Sequence, residues 1–486
     1  MEVLTRNEII LAESYTIENE NIQSFALMER VALLCSNRII DIIPKKTPIC
    51  IYCGQGNNGG DGLLIAKFLR KEGFEVEVFV IQHSSSPSVD FQRAAKEVTH
   101  SLLVQKENWI NPPKTAWIVD AIIGTGLKRP LDGFLAELVV SLNQLPNPIL
   151  SIDLPSGLSC DGDFNGSPAI YARHTLSIQW PKLALLLHPQ NMHTESFEVL
   201  NAGILNPELE STFVFLSGKT LAPLIQRRST FSHKGHFGNL LILAGSKKYP
   251  GAASLCAHSA LRSGAGKVSV CSNKSTLLAV RSQFPEAITL KEFPNTIRLY
   301  SSVLVGPGLD ISDKSSSILR RALENFENPM VLDADAIRIL ATHKDWLKWV
   351  PKGSVFTPHL GEFNVFFGTD FSNMDGLKIA QDFCKSTECV LVVKGPYTLI
   401  CSPEGKVFFN STGNPGLAKG GSGDVLAGLI AGLITRGYSS LDAAKMGVYI
   451  HGLSADLVAS EMNVEVMLPS DIIARFSDAF DKVIKS

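Results

Sequence analysis

The run NSTGNPGLAKGGSGD, residues 410–424, leads straight into an apolar helical stretch. Gly420, Gly421, Ser422 and Gly423 place backbone with little side chain at a helix start. N–H groups converge there on an anion, a phosphate or a developing negative charge. Asp424, in the first turn, is placed to accept the proton of an attacking hydroxyl. Alone it would read equally well as a helix cap. Its company favours chemistry: the turn Gly306-Pro307-Gly308, the acids Asp333 and Asp335, Thr357-Pro358-His359, and Lys394-Gly395 after an apolar run.

A second set lies in the first half. GQGNNGGDG, residues 54–62, follows one apolar run and opens a helix, so its backbone can approach a ligand such as a pyrophosphate. Two further apolar runs end in acids: Asp120 before IIGTG, and Asp153 before LPSG. In an open parallel sheet the carboxyl ends of strands converge on the binding crevice. Asn58, Asp120, Asp153 and Ser156 can therefore meet, with hard oxygen ligands suited to a group IA or IIA cation. Each acid could instead cap its own turn; three such turns at successive strand ends favour a site. By contrast, His233 and His236 form an HxxH without the further ligands of a zinc centre, and are read as structural. Cys50 and Cys53 sit in a strand pattern that sends them to opposite faces, which excludes a redox pair.

The elements that must hold these residues are α/β layers. Strand candidates in the first half are ICIYC, VEVFVI, AWIVDAII, PILSIDL and TLSIQW, with helical stretches between them such as GLLIAKFLRKEG and FLAELVVSLNQL. After a weakly patterned segment the second half restarts with NLLILAG, KVSVCS, SVLVGPG, MVLDADA, SVFTPH and CVLVVKG. TLICSP and KVFFNS then read as a hairpin about Glu404-Gly405, and two helices close the chain, from Ser422 to about Thr435 and from about Leu441 to Ala459. The boundary is expected near residues 210–225, giving a Rossmann-like α/β/α domain over 1–215 and a second α/β/α domain over 225–486. The halves share layers but no motifs, so there is no internal repeat.

Bulk properties exclude several classes. A chain of 486 residues exceeds one ordinary core. A net charge of -2 gives no attraction to nucleic acid or acidic membranes. The most apolar helical stretch, Val425 to Ile434, is about half a bilayer span. The N-terminus lacks the apolar core of a signal peptide, and nine thinly spread cysteines suit a reducing compartment. The expectation is a cytoplasmic enzyme, assembled as a homo-oligomer, with small-molecule partners only.

Through NNGGDG, VDAIIGTGL and DLPSGL, residues 1–205 resemble the NAD(P)H-hydrate epimerase domain. The resemblance implies that Asn57, Asn58, Gly59, Gly60 and Asp61, with the loop Gly124, Thr125, Gly126, Leu127, Lys128, Arg129 and Pro130, hold hydrated NADH or NADPH (NADHX, NADPHX). Asn58, Asp120 and Ser156 would bind K⁺, and Asp153 would meet the nicotinamide ring. Lys182 stands where the family has a lysine, and is a candidate acid/base partner for Asp153 alongside the reading of a surface lysine. Residues 225–480 resemble the ribokinase-like fold, and more narrowly the ADP- or ATP-dependent NAD(P)H-hydrate dehydratases. That implies contacts from Lys394, Gly395, Pro396, Tyr397, Thr398 and Gly423 to the adenine nucleotide with Mg²⁺. Ala252, Gly308, His359 and Asp424 would touch the hydrated dinucleotide. Three positions depart from the pattern: Asp310 for a usual glycine, Lys419 and Ser422 in the glycine loop, and Gln55 before the asparagine pair. A vitamin or sugar kinase fused to a non-catalytic binding domain is the competing reading, since it shares the fold and the base.

Overall fold

The computed structural model describes residues 1–82, 86–105, 109, 111–163 and 166–486. The chain divides into two compact units, Glu2–Ser211 with Ser372–Met374, and Thr212–Ser486 without that triplet but with Met1. The division falls at Ser211/Thr212, inside the interval 210–225. The reason is a strand at Phe213–Phe215 that belongs to the second sheet.

In the first unit the strands are β1 (Ile49–Cys53), β2 (Val76–Ile81), β3 (Leu102–Val104), β4 (Trp117–Ala121), β5 (Ile149–Ile152), β6 (His174–Ile178) and β7 (Phe197–Leu200). They form one parallel sheet in the order β3-β2-β1-β4-β5-β6-β7. Order reverses between β1 and β4, where a ligand crevice is expected. Tyr52 pairs with Asp120 across that point. Alternation along β1 buries Ile49, Ile51 and Cys53 in one apolar layer and Cys50 and Tyr52 in the other, so the two cysteines are separated by the sheet.

Two glycines of residues 54–62 are dictated by packing. A Cβ on Gly59 would lie 1.8 Å from the carbonyl oxygen of Gly54. One on Gly62 would meet Ala121 Cβ at 2.6 Å and Cys53 Sγ at 2.8 Å. The helix Asn57–Lys71 can therefore start directly at the sheet, with Asn57 and Asn58 in its first turn.

The second unit contains β8 (Phe213–Phe215), β9 (Asn239–Leu243), β10 (Lys267–Cys271), β11 (Ile288–Leu290), β12 (Ser302–Val305), β13 (Met330–Leu332), β14 (Val355–Phe356), β15 (Val390–Val393), β16 (Leu399–Cys401) and β17 (Val407–Phe409). Their order is β11-β10-β9-β12-β13-β14-β15-β16-β17-β8. The sheet is parallel except where β16 runs antiparallel to β15 and β17, and β16–β17 is the expected hairpin. Its core is built on the apolar helices Pro250–Arg262, Ser422–Thr435 and Ser440–Ala459. A Cβ on Gly428 would sit 2.5 Å from Cys256 O, so this glycine lets the first two helices touch backbone to backbone. That contact fixes where the 420–424 loop stands over the sheet. Among the described residues no helix is long and apolar enough to cross a membrane.

Candidate active sites

The carboxyl ends of β1, β4 and β5 converge in the first unit as their polar endings suggest. Asp120 is fully buried at the end of β4. Its Oδ1 accepts from Ser156 Oγ at 2.5 Å and Ile122 N at 3.2 Å, and its Oδ2 from Ser151 Oγ at 2.8 Å and Ser156 N at 2.9 Å. Burial pushes this carboxyl above its usual range, and the donors from Ser156, Ser151 and Ile122 oppose that rise. Asn58, whose Cγ lies 3.2 Å from an ideal Cβ on Gly124, keeps Oδ1 and Nδ2 buried with no hydrogen-bond partner among the described residues. A buried amide left unsatisfied points to an absent ligand. With a buried carboxylate and a hydroxyl in the same unit, the oxygen donors fit a hard cation.

Asp153 leaves β5 with φ +68, a left-handed conformation rare outside glycine and best tolerated by Asp and Asn. Its Oδ1 forms an ion pair with Lys182 Nζ and accepts from Ile178 N at 3.3 Å, while Oδ2 accepts from Thr125 N at 3.3 Å. Lys182 is no surface residue: it is 1% exposed, and Nζ also donates to Ser177 Oγ at 3.2 Å and Ile178 O at 2.8 Å. A cavity of about 730 Å³ opens above this pair. Asn57, Asn58, Asp61, the 124–130 loop, Asp153 and Lys182 all line it. Gly59 and Gly60 do not; a Cβ on Gly60 would strike Met28 at 2.8 Å, so both serve packing. Gly124 approaches closely, its ideal Cβ 3.0 Å from Asp153 Oδ2 and 3.2 Å from Asn58 Cγ. Asp120 and Ser156 lie outside the lining, both fully buried. Five lining residues come from the first helix, Arg6–Glu20, and two of them are charged: Arg6, whose Nε donates to Thr125 O at 3.0 Å, and Glu13. An isolated charge on a helix reads as solvated surface, so no sequence signal marks either.

In the second unit, Asp424 stands in the first turn of Ser422–Thr435, entered through Gly421 at φ +101. Burial, then the nearby Asp333 carboxylate, raises Asp424 to about 7 against the opposing pull of Lys394. Lys394 Nζ donates to Asp333 Oδ1 at 2.8 Å and lies 4.0 Å from Glu362 Oε2. Burial pulls this ammonium down, but Asp333 and Glu362 outweigh it and hold it above its ordinary value. An ideal Cβ on Gly423 would be 3.3 Å from Lys394 Nζ, so cation and glycine loop meet, while Gly395 and Gly420 face open space. Lys394, Gly395, Pro396, Tyr397 and Thr398 form the tight turn from β15 to β16, closed by Thr398 Oγ1 donating to Gly395 O at 3.0 Å.

The other anticipated residues assemble around this centre. Gly308, at φ +57, packs so that a Cβ would meet that of Ala252 at 2.8 Å. His359 bridges to Lys394 through the backbone and caps the helix Leu360–Phe367, its Nδ1 accepting from Glu362 N. Asp310, the departure from glycine, keeps the left-handed turn at φ +72. Its N–H donates to Asp335 Oδ2 at 2.8 Å and its own Oδ1 accepts from Ile311 N. An aspartate can hold that conformation with such local support. His451, not anticipated, hydrogen-bonds the backbone of Ser422, and burial lowers it to about 4. His451 Nε2 and Ser422 Oγ are both buried without a hydrogen-bond partner among the described residues. His233 and His236 stack on each other at 3.7 Å, and His233 caps a short turn.

Comparison with known proteins gives matches to both halves. Residues 24–184 match the family described as YjeF-related protein N-terminus, and residues 240–477 the family described as NAD(P)H-hydrate dehydratase. The chain is 32% identical to the bifunctional NAD(P)H-hydrate repair enzyme Nnr of Moorella thermoacetica, over 93% of this chain and 91% of that one. It is 31% identical to the same-named enzyme of Dictyoglomus turgidum, over 100% and 99%. Among solved structures, a ribokinase-like superfamily protein from Enterococcus faecalis superposes with a TM-score of 0.52 at 26% identity, covering 57% of this chain and 99% of that one.

Proposed function

The chain belongs to the family of bifunctional NAD(P)H-hydrate repair enzymes, and from that premise we propose that its first unit interconverts R- and S-NAD(P)HX while its second dehydrates the S form with ADP or ATP. The observation that carries this is the presence of two separate acid centres, one per unit. A kinase with an idle binding domain leaves the Asp153–Lys182 pair without a use.

In the second unit, Asp424 takes the proton of the ring C6 hydroxyl as that oxygen bonds to the terminal phosphorus of the nucleotide. The phosphorus–oxygen bond to the departing nucleotide breaks. Phosphate then leaves C6 with the carbon–oxygen pair, a C5 proton is lost, and the dihydropyridine is restored. Ala252, Gly308, His359 and Asp424 hold the hydrate. Lys394, Gly395, Pro396, Tyr397 and Thr398, with Gly420, Gly421, Ser422 and Gly423, hold the nucleotide. Mg²⁺ arriving with the phosphates would screen their charge. In the first unit Asn57, Asn58 and Asp61, with the 124–130 loop, bind the hydrate. Gly59 and Gly60 shape the backbone beneath it. Asn58, Asp120 and Ser156 would hold K⁺, whose charge would offset that of the buried Asp120. The nine free cysteines suit the cytoplasm. Incubating the protein with NADHX and ADP or ATP should restore the absorbance of the reduced nicotinamide. No recovery, with phosphorylation of a vitamin or sugar instead, would turn the assignment to the kinase.

The glycine loop gives a narrower test. Valine at 423 drives a branched side chain at Lys394 Nζ, where glycine leaves a Cβ position only 3.3 Å away. Nucleotide affinity by calorimetry should fall roughly 10–100-fold, the scale of overpacking a tight site. Unchanged ADP and ATP binding would place the phosphates elsewhere.

A further inference from the structure

The Asp153–Lys182 pair leaves a gap in the proton chemistry of the first unit. Lys182 has three N–H bonds, and all are committed, to Asp153, Ser177 Oγ and Ile178 O. Asp153 is committed too, its Oδ1 to Lys182 and Ile178 N and its Oδ2 to Thr125 N. This is a charge lock that orients a carboxylate; it does not carry a proton in and out. Across the same cavity stands Glu13, half-buried on the first helix, beside Ile9 and Ala12 of that helix's buried face. Among the described residues no hydrogen bond or ion pair holds its carboxyl. The charged groups bearing on it are Asp153, Asp61 and Lys182.

Resting on the epimerase reading above, we infer that Glu13 is the catalytic residue that moves the proton during epimerisation, while the Asp153–Lys182 pair fixes Thr125 and the loop that follows it beside the ring. The hydroxyl of a hydrated nicotinamide sits on C6 next to N1, a hemiaminal, so opening and reclosing the ring inverts C6. Glu13 takes the hydroxyl proton, and the oxygen–hydrogen pair becomes the C6=O bond. The N1–C6 bond breaks, its pair stays on N1, and Glu13 returns the proton there. Rotation about C5–C6 presents the other face of the aldehyde. N1 re-adds, and its proton passes through Glu13 to the oxygen. Nothing is gained, lost or oxidised. Burial, with the Asp153 charge adding to it and Lys182 opposing, raises Glu13 to about 7, where a carboxyl both takes and gives a proton readily. Asp61 also lines the cavity, and burial, then Asp153, Glu13 and Asp90, push it well above its ordinary value.

The test uses the full chain and purified R-NADHX, following conversion to S by chromatography with no nucleotide present. Glu13→Gln should lower kcat for epimerisation by about 10²–10³-fold, with KM little changed. Dehydration of S-NADHX with ADP by the same preparation should stay at the wild-type rate, which shows that the variant is folded. Glu13→Asp should restore part of the rate and shift the pH profile of kcat; Asp61→Asn should raise KM more than it lowers kcat. If Glu13→Gln epimerises as fast as wild type, or if Asp61→Asn alone abolishes kcat, Glu13 is not the proton carrier. A wild-type chain that does not epimerise at all would instead overturn the underlying assignment.

Discussion

Asp424→Asn should leave the fold standing and remove about 10²–10⁴-fold of the dehydration rate, the range lost with a positioned general base. Asparagine keeps the shape of the side chain and its place in the first helical turn, but it cannot take the hydroxyl proton. With Asp424 raised to about 7 by burial and then by Asp333, kcat/KM of the wild type should fall about tenfold per pH unit below neutrality and level off above it. The variant should lack that limb. Stability should move the other way. A carboxyl whose folded value lies above its unfolded value destabilises the fold by an amount absent below about pH 4 and complete above about pH 7. The neutral amide escapes this cost, so the gain in Tm of Asp424→Asn over wild type should grow between about pH 4 and pH 7 and level off above. Near-wild-type recovery of NADH by the variant would remove Asp424 from the role of base.

How much of this was legible beforehand follows the physics of each element. Central strands announce themselves because both faces are buried, as in ICIYC and NLLILAG, and their polar endings mark the crevice. Asp120, Asp153 and Lys394 are read that way, from apolar runs that stop at a residue able to do chemistry, whereas Asn58 and Asp424 are read from glycine-rich runs that open a helix. The strands that sequence patterning missed are β3, β7, β8 and β11, and these are the four sheet edges. Edge strands are short and half-solvated; Leu102 and Leu103 of β3 are 53% and 52% exposed, so no continuous buried run exists to be read. Glycines answer to packing as well as to ligands. Gly59 and Gly60 have the spacing of a ligand loop, yet what excludes a side chain there is Gly54 O and Met28. Long-range partners such as Glu13 and His451 carry no local signal at all; only the fold brings them to a site.

Asp153→Ala should separate the two activities. Asp153 and Asp424 lie at the ends of different sheets in different compact units. Loss of the carboxylate should strand Lys182, a buried ammonium left with only Ser177 Oγ and Ile178 O, and should free Thr125 and the loop that follows it. Epimerisation should fall by about 10²-fold or more. Supplied with both NADHX epimers and ADP or ATP, the variant should consume the S form at the wild-type rate. It should then slow to the uncatalysed interconversion, leaving R behind, while wild type runs to completion. Replacing K⁺ by a large organic cation in the wild type should slow the second phase and spare the first, because Asn58, Asp120 and Ser156 belong to the first unit alone. If Asp153→Ala consumes both epimers as fast as wild type, the first unit is a binding module, and the charge lock of Asp153 and Lys182 is structural.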